Sequence, residues 1–489
     1  MAPLSGLLLV GAVALVFDLS ANGGLGGFGF FTFVCVLVAA LYAGGTRNAS
    51  QVTALACAVL LSAIWVFRES GWMRLSSSLL VVACLLAALT VARDRPVFDV
   101  RWVDTMVAAY DAIVSFLLMP AWLIRGSRRA CPPLTRRGAD ITVRLVCLGL
   151  PLLLTIAALL AWSDAAFASL FSISMTAVMT HGVLFFVGLV IAGWFMRCAV
   201  VRDARVPTRA STLRASFAET VAILGGIALL LGAFASVQIA TALDDNGPVG
   251  NGSAAVYSAH ARSGYFQLLA VVAIVVMTLV VFDRLAQHEH RWQRLTQIAL
   301  SLAIVGLSIA VAGVALRRLA QYSEAFGLTM LRLVAIPAAA WMVILLVLVA
   351  VSVCGSSPAS GRCPPTASRR VGVSPAGEVP PARRRSWLPG VAGIALVAIW
   401  LGFAAINPQQ VMVDYDFAHA DEARLDLRYL TSLSSDATPA LAAHVADLPP
   451  EEQALVRTRM CWRGDRPVGL AQLSVSQIKA QEALEAMCP

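Results

Sequence analysis

The stretch RRLAQYSEAFGLTMLR, Arg317 to Arg332, separates two long apolar runs, Leu295 to Leu316 and Leu333 to Val353. A helix crosses the hydrocarbon core of a bilayer in about 20 apolar residues, and each run is close to that length. The polar stretch between them reads as the tip of a helical hairpin at a membrane surface, and the fold as an all-α polytopic transmembrane helix bundle. Gly327 suits the position just past a helix end and Thr329 the N-cap of the next helix. Arg317 and Arg318 fall at the end of the first helix, where cations meet the negative pole of its dipole. Arg332 falls in the first turn of the second, against the dipole, and needs an acidic partner; Glu324 across the hairpin is the first candidate.

Composition points the same way. Hydrophobic residues make up 59% and charged residues 13% of the 489, where soluble domains carry roughly a quarter charged. The net charge of +9 sits mostly in loops between apolar runs. It therefore reports topology and anionic headgroups rather than nucleic acid, for which no binding module accompanies the charge. Lys479 is the only lysine among the 37 basic residues, a compositional bias.

Leu4 to Phe17 has no basic region before it and no small-residue cleavage site after it, so it reads as a first membrane helix, short or tilted, and not as a signal peptide. The segment NGGLGGFGF that follows places Gly24, Gly26 and Gly29 in G-x-G-x-x-G spacing. A dinucleotide fingerprint needs a strand before it and an acidic residue later, whereas a membrane helix to Ala43 follows here, so the glycines read as close helix approach. Spans Val52 to Phe67 and Leu75 to Ala92 come next. Phe98 to Ile124 carries Trp102, Met106, Ala109, Ile113, Phe116 and Leu117 at helical spacing. It is either an amphipathic helix in the interface or a core helix packed on the bundle.

Arg125, Arg128, Arg129, Arg136, Arg137 and Arg144 form the most basic loop and are cytoplasmic by the positive-inside rule. Alternation from there gives about eleven spans, a cytoplasmic N-terminus, an extracytoplasmic C-terminus and an external Arg317–Arg332 tip. The chain divides into residues 1–97, N-terminal membrane helices; 98–140, interfacial helix and basic loop; 141–354, central membrane helices; 355–386, a Pro- and Arg-rich cytoplasmic linker; 387–406, the last membrane helix; and 407–489, an extracytoplasmic helical tail.

In the tail, Asp436 is placed to cap ATPALAAHV, Pro449 to Glu452 to open a second helix, and Ser474 to cap VSQIKAQEALEAM. The outer side of a membrane permits disulfides, and Cys461 and Cys488 are expected to pair there. The other eight cysteines read as small apolar residues.

Catalytic chemistry finds little support. His288 and His290 are spaced for different helix faces, and no Ser-His-Asp order, Walker loop or zinc spacing occurs, so neither a metal nor a cofactor is expected. His181, beside Thr180 at the start of a span, is an intramembrane ionisable residue and hence a relay or ligand candidate. The topology gathers Gln238, Tyr257, His260, Arg262, Arg317, Arg318, Tyr322, Glu324, Arg332 and Asn407 at one outer boundary. That polar belt is either a clamp fixing helix register or a site for an anionic headgroup or envelope metabolite.

The segment Tyr257-Ser-Ala-His-Ala-Arg262-Ser-Gly264-Tyr-Phe266-Gln-Leu268 resembles the signature Tyr-Ala-x-Tyr-Ala-Arg-x-Gly-Phe-Phe-x-Leu of a bacterial integral-membrane family, "domain of unknown function 4173", related to domain of unknown function 4153. The resemblance continues in Arg318-Leu319, Tyr322, Ala325, Gly327-Leu-Thr329 and Arg332, then in Asn407-Pro408, Leu425-Asp426, Tyr429-Leu430, Leu433-Ser434, Asp436 and Pro439. His260 stands where the family has an aromatic residue, and Asp416 where Asn is expected. The family implies no activity. The expectation is a non-enzymatic bacterial cell-envelope component that binds or senses a ligand, lipid or partner at the outer face. Its partners would be membrane lipids and an envelope protein met through the tail, not nucleic acid. A secondary transporter, hinted at by Pro337 inside a span, is the alternative.

Overall fold

The computed structural model describes residues 3–21, 26–43, 48–89, 110, 112–116, 118–119, 122, 175–200, 216–243, 269–283, 290–355, 387–419, 425–462 and 469–488. Every regular element among them is helical. In the bundle these are α1 (Pro3–Ala21), α2 (Gly27–Ala43), α3 (Ala49–Phe67), α4 (Gly71–Leu89), α5 (Met175–Val200), α6 (Phe217–Leu243), α7 (Leu269–Asp283), α8 (Arg291–Phe326), α9 (Met330–Gly355) and α10 (Leu388–Ala405). Seven helices among the described residues are long and apolar enough to cross a membrane, and three shorter apolar ones accompany them. The fold is an all-α polytopic bundle. The expected span Ile141 to Trp162, the basic loop from Arg125 to Arg144, His288 with Glu289, and residues 356–386 lie outside the described residues.

Packing divides the bundle into two large buried cores. One joins α1 to α5 through Val13, Leu37, Leu61, Leu85 and Met196; the other joins α6 to α9 through Leu224, Leu279, Ile304 and Leu346. The helix α10 belongs to both, with Leu388 and Ala392 in the second core and Val397, Trp400 and Phe403 in the first. Lipid is as apolar as a leucine side chain, so close approach rather than water exclusion holds such helices together. At Gly188 of α5 a Cβ would meet Phe17 Cβ at 2.8 Å and the Ala14 carbonyl at 2.9 Å on α1.

One expectation is corrected. The stretch from Arg317 to Phe326 continues α8, one helix of 36 residues that ends at Gly327 as its sequence suggests, so Arg317 and Arg318 lie within the helix and not at its end. At 1.5 Å per residue it runs for about 54 Å, well beyond a ~30 Å hydrocarbon core. The turn proper is only Gly327 to Thr329. In the segment around residue 115, Ala112, Ser115 and Met119 are buried against the protein, and Ile113 and Phe116 face outward from it. Trp194 Nε1 donates to the Ala112 carbonyl at 2.9 Å and Arg197 Nη1 to Ser115 Oγ at 2.9 Å, so this turn is held against α5.

The tail contributes α11 (Pro408–Ala418), α12 (Leu427–Leu430), α13 (Thr438–His444), α14 (Pro450–Cys461) and α15 (Val475–Met487). Ser474 caps α15 as its sequence suggests, accepting from Gln477 N at 3.2 Å. Asp436 does not cap α13, whose N-cap is Ala437. Buried tail residues Met412, Leu430, Leu441 and Met460 belong to the same apolar core as α1 to α5, so the tail has no separate interior among the described residues.

Candidate functional site

The tail seats on three interhelical turns at one end of the bundle, and a buried carboxylate organises the first. Asp436 is 2% exposed. Its Oδ2 accepts from the backbone N–H groups of Glu69 at 2.9 Å and Ser70 at 2.7 Å and from Ser434 Oγ at 3.2 Å, and its Oδ1 accepts from the Ser476 hydroxyl. Both amides immediately precede α4, so a carboxylate from the tail takes the place of an N-cap and meets the positive pole of that helix. Burying a carboxylate is tolerable only with such charge-assisted bonds.

Arg68, in the same turn, donates through Nε to the Ala404 carbonyl at 2.7 Å and through Nη2 to Ala405 at 2.9 Å, closing the last turn of α10. Burial lowers its pKa from the ordinary arginine value and the Asp436 carboxylate opposes that shift; the guanidinium stays charged. Arg74 lies over the Trp65 ring, 5.1 Å from its centroid, and Trp65 Nε1 donates to the Arg74 carbonyl at 3.2 Å. Gln477 Nε2 donates to Glu69 Oε1 at 2.7 Å.

Asn407 breaks the chain between α10 and α11. Its φ of 51° makes it the one non-glycine residue with left-handed backbone among the described residues, a conformation Asn tolerates better than most side chains. Its Nδ2 donates to the Asp436 carbonyl at 3.0 Å and to Gln410 Oε1 at 3.3 Å.

The second seat is the α8–α9 turn. Asp416 Oδ1 accepts from Leu328 N at 2.6 Å, and Tyr429 Oη accepts from Met330 N at 3.1 Å. Gly327 has φ 72°, and a Cβ there would stand 3.1 Å from Asp416 Oδ1. Arg332 Nη1 donates to the Gly327 carbonyl. Arg332 acts electrostatically on Asp416, and Glu324, the partner expected for it, stands exposed on α8. Burial raises the Asp416 pKa; the Leu328 N–H, Arg332 and His419 pull it the other way.

The third seat explains the glycine-rich turn. Phe28 N donates to the Leu473 carbonyl at 3.3 Å and Gly29 N to Ala471 at 2.9 Å. A Cβ on Gly26 would collide with the Gln472 backbone, and one on Gly27 with the Trp65 carbonyl. The close helix approach read from the glycines is present, at Gly27 against α3 and at Gly29 against the Ser20 carbonyl of α1, and the tail approaches there as well.

Between the first seat and the membrane helices lies a groove of about 670 Å³. Leu60, Ile64, Phe67 and Leu401, on the last turns of α3 and α10, form its apolar part. Arg68, Asn407, Gln410 and the chain's single lysine, Lys479, line the polar part. Four buried side-chain atoms of the first seat, Glu69 Oε2, Ser70 Oγ, Arg74 Nη2 and Asn407 Oδ1, have no hydrogen-bond partner among the described residues, and of these residues Asn407 lines the groove.

Of the expected polar belt, Arg332 and Asn407 are built into the seats, and Arg317 and Glu324 are exposed on α8. The side chains of Gln238, Arg318 and Tyr322, and Tyr257, His260 and Arg262 entirely, lie outside the described residues. Sequence reading missed Arg68 and Lys479, which carry no motif. It placed Asp436 on the wrong helix, and it discounted Asp416 for departing from a family pattern. His181 is paired: its Nδ1 lies 2.9 Å and 3.0 Å from the two carboxylate oxygens of Asp18, which is 7% exposed near the end of α1. Cys461 and Cys488 are joined by a disulfide with Cα atoms 5.8 Å apart, tying the end of α14 to the residue after α15. Among the described residues no three His, Cys, Asp or Glu side chains are grouped to hold a metal ion.

A family model described as "Domain of unknown function (DUF4153)" matches residues 55–360 and 378–444, which include the second seat in full, Asp436 and the α3–α4 turn of the first, and the end of α3 at the groove. No curated protein and no solved structure matches the chain.

Proposed function

The chain belongs to the DUF4153 family, and from that premise we propose that it is a non-enzymatic cell-envelope component whose tail and membrane bundle together present a binding or sensing surface at the outer face. Within the family its signature residues favour the related 4173 group. The observation that carries the proposal is the threefold seating of the tail: Asp436 on the α3–α4 turn, Asp416 and Tyr429 on the α8–α9 turn, and residues 471–473 on the α1–α2 turn. A domain merely tethered by a linker would not bury its own apolar side chains in the bundle core. Among the described residues polar groups that could meet a ligand gather there, and no nucleophile and base are brought together with them.

The outer orientation draws on the arginine distribution and on the disulfide, a bond that persists in oxidising compartments. The test is to compare the lipids and proteins that copurify with the wild type and with Asp436→Ala. The proposal expects the profile to change along with release of the tail to protease, and an identical profile with a released tail overturns it. The transporter alternative rests on the Asp18–His181 pair between α1 and α5 and on Pro337 inside α9. It would require solute movement that His181→Ala abolishes.

A further inference from the structure

The groove beside Asp436 straddles the level at which two membrane helices end. Leu60, Ile64 and Phe67 occupy the last two turns of α3, and Leu401 lies in the last turns of α10. Leu60 is 55% and Phe67 53% exposed, so the groove's apolar wall opens to whatever surrounds the bundle there. Immediately beyond it the lining becomes cationic and polar with Arg68, Asn407, Gln410 and Lys479.

The one carboxylate in the lining, Asp436, has both oxygens engaged by backbone and hydroxyl donors. It is closed to a ligand, and the field it leaves at the mouth is outweighed by two cations. Arg68 keeps its place through the carbonyls of α10, and Lys479 makes no ion pair among the described residues. An apolar slot continuous with the acyl region, topped by a lysine and an arginine at headgroup height, matches an amphiphile that carries negative charge at one end.

We propose that this groove binds one anionic phospholipid, with an acyl chain against Leu60, Phe67 and Leu401 and its phosphate held by Arg68 and Lys479. The assignment rests on the reading that tail and bundle together form a binding surface, and it names the ligand class of that surface. Bound there, the lipid bridges α3, α10 and α15 and reinforces the first seat of the tail.

The test uses the full chain, delipidated in neutral detergent and titrated with phosphatidylglycerol, with phosphatidylcholine or with soluble glycerol phosphate. Native mass spectrometry reads bound lipid and a thermal midpoint reads the stabilisation. Phosphatidylglycerol is expected to bind one per chain and raise the midpoint, with neither other compound doing so. Lys479→Gln should weaken it roughly fivefold, the worth of one lysine facing an anionic membrane surface. Ala63 also lines the apolar wall, and Ala63→Trp, which fills it, should abolish binding.

An equal response to phosphatidylcholine, or unchanged affinity in Lys479→Gln, overturns the proposal in favour of nonspecific annular lipid. An equal response to glycerol phosphate overturns it in favour of a free-anion site. Protease resistance of the tail is followed in parallel. A protected tail that takes up no phosphatidylglycerol sinks this proposal alone, whereas an unprotected wild-type tail sinks the docked surface on which it rests.

Discussion

Asp436 Oδ2 lies 2.7 Å from the backbone nitrogen of Ser70, a residue 366 positions earlier in the chain. This bond makes the start of a membrane helix depend on a carboxylate from the far part of the sequence. Removing the carboxylate strands two amides and the Ser476 hydroxyl, while Ser434 keeps Gln409 Oε1 at 2.6 Å, and each unsatisfied buried group costs about 1–3 kcal/mol. Asp436→Ala is expected to lower unfolding free energy by roughly 3 kcal/mol or more and to expose the tail to protease, with Asp436→Asn milder because one acceptor oxygen remains. Equal midpoints for wild type and Asp436→Ala would show that the seat is not stabilising.

Asp416 gives a pH signature. Burial raises its folded pKa above the ordinary carboxylate value of 3.8, so the native state holds its proton more tightly than the unfolded chain does. Its contribution is then full below about that ordinary value and is lost as pH rises through the folded pKa. Asp416→Asn keeps an acceptor for Leu328 N and removes the ionisation. The variant should match or exceed the wild type at neutral pH, and its melting midpoint should lose the part of the pH slope just above the carboxylate range. A wild type whose slope there equals that of Asp416→Asn contradicts the assignment.

The glycine-rich turn separates close approach from mere helix propensity. A Cβ at Gly26 meets the tail backbone, while at Gly11 on α1 nothing lies within 4 Å. Gly26→Ala should therefore free the tail to limited proteolysis, and Gly11→Ala should leave it protected and gain a few tenths of a kcal/mol, up to about 1 kcal/mol, in helix stability. Identical digestion patterns for the two would remove the glycines from the docking argument.

The Cys461–Cys488 bond closes a sequence separation of 27 residues, for which chain entropy supplies about 3.5 kcal/mol. Reduction, or Cys461→Ser with Cys488→Ser, should loosen α14 and α15 before the bundle melts. Mass mapping of acid-trapped protein and a reporter fused after residue 489 address the compartment together. Two free thiols with a cytoplasmic reporter signal would reverse the orientation.

Asp18 and His181 call for a double-mutant cycle. His181→Ala leaves a buried carboxylate unpaired and should destabilise more than Asp18→Asn combined with His181→Ala, because removing one partner alone leaves the other uncompensated. Additive effects of the two single changes would mean that the pair carries no coupling.

The long apolar runs made the bundle legible, since twenty apolar residues have few other fates. Ser474 with Gln477, and Pro450 at the start of α14, marked tail helices through local capping chemistry. The site was legible only where its chemistry is local. Gly327 announces the helix end by residue type, whereas the left-handed backbone of Asn407 was not read, and Asp436 looked like a cap for its own neighbour because the amides it holds lie hundreds of residues away. Arg68 read as one more loop charge for the same reason. The overlong α8 was misread because a polar stretch after an apolar one looks like a helix end, although helix propensity does not stop where the membrane does.

The shared membership of α10 in both cores has a consequence for how the chain can be divided. Residues 356–386 connect α9 to α10, and these helices also meet directly, with Trp341 Nε1 donating to the Ala392 carbonyl at 3.1 Å. A polypeptide severed in that interval would still present matching surfaces on its two fragments, since the later fragment carries α10 and every contact by which the tail grips the earlier one. Expressed as two genes' worth of chain, the halves should find each other and reassemble without the covalent link.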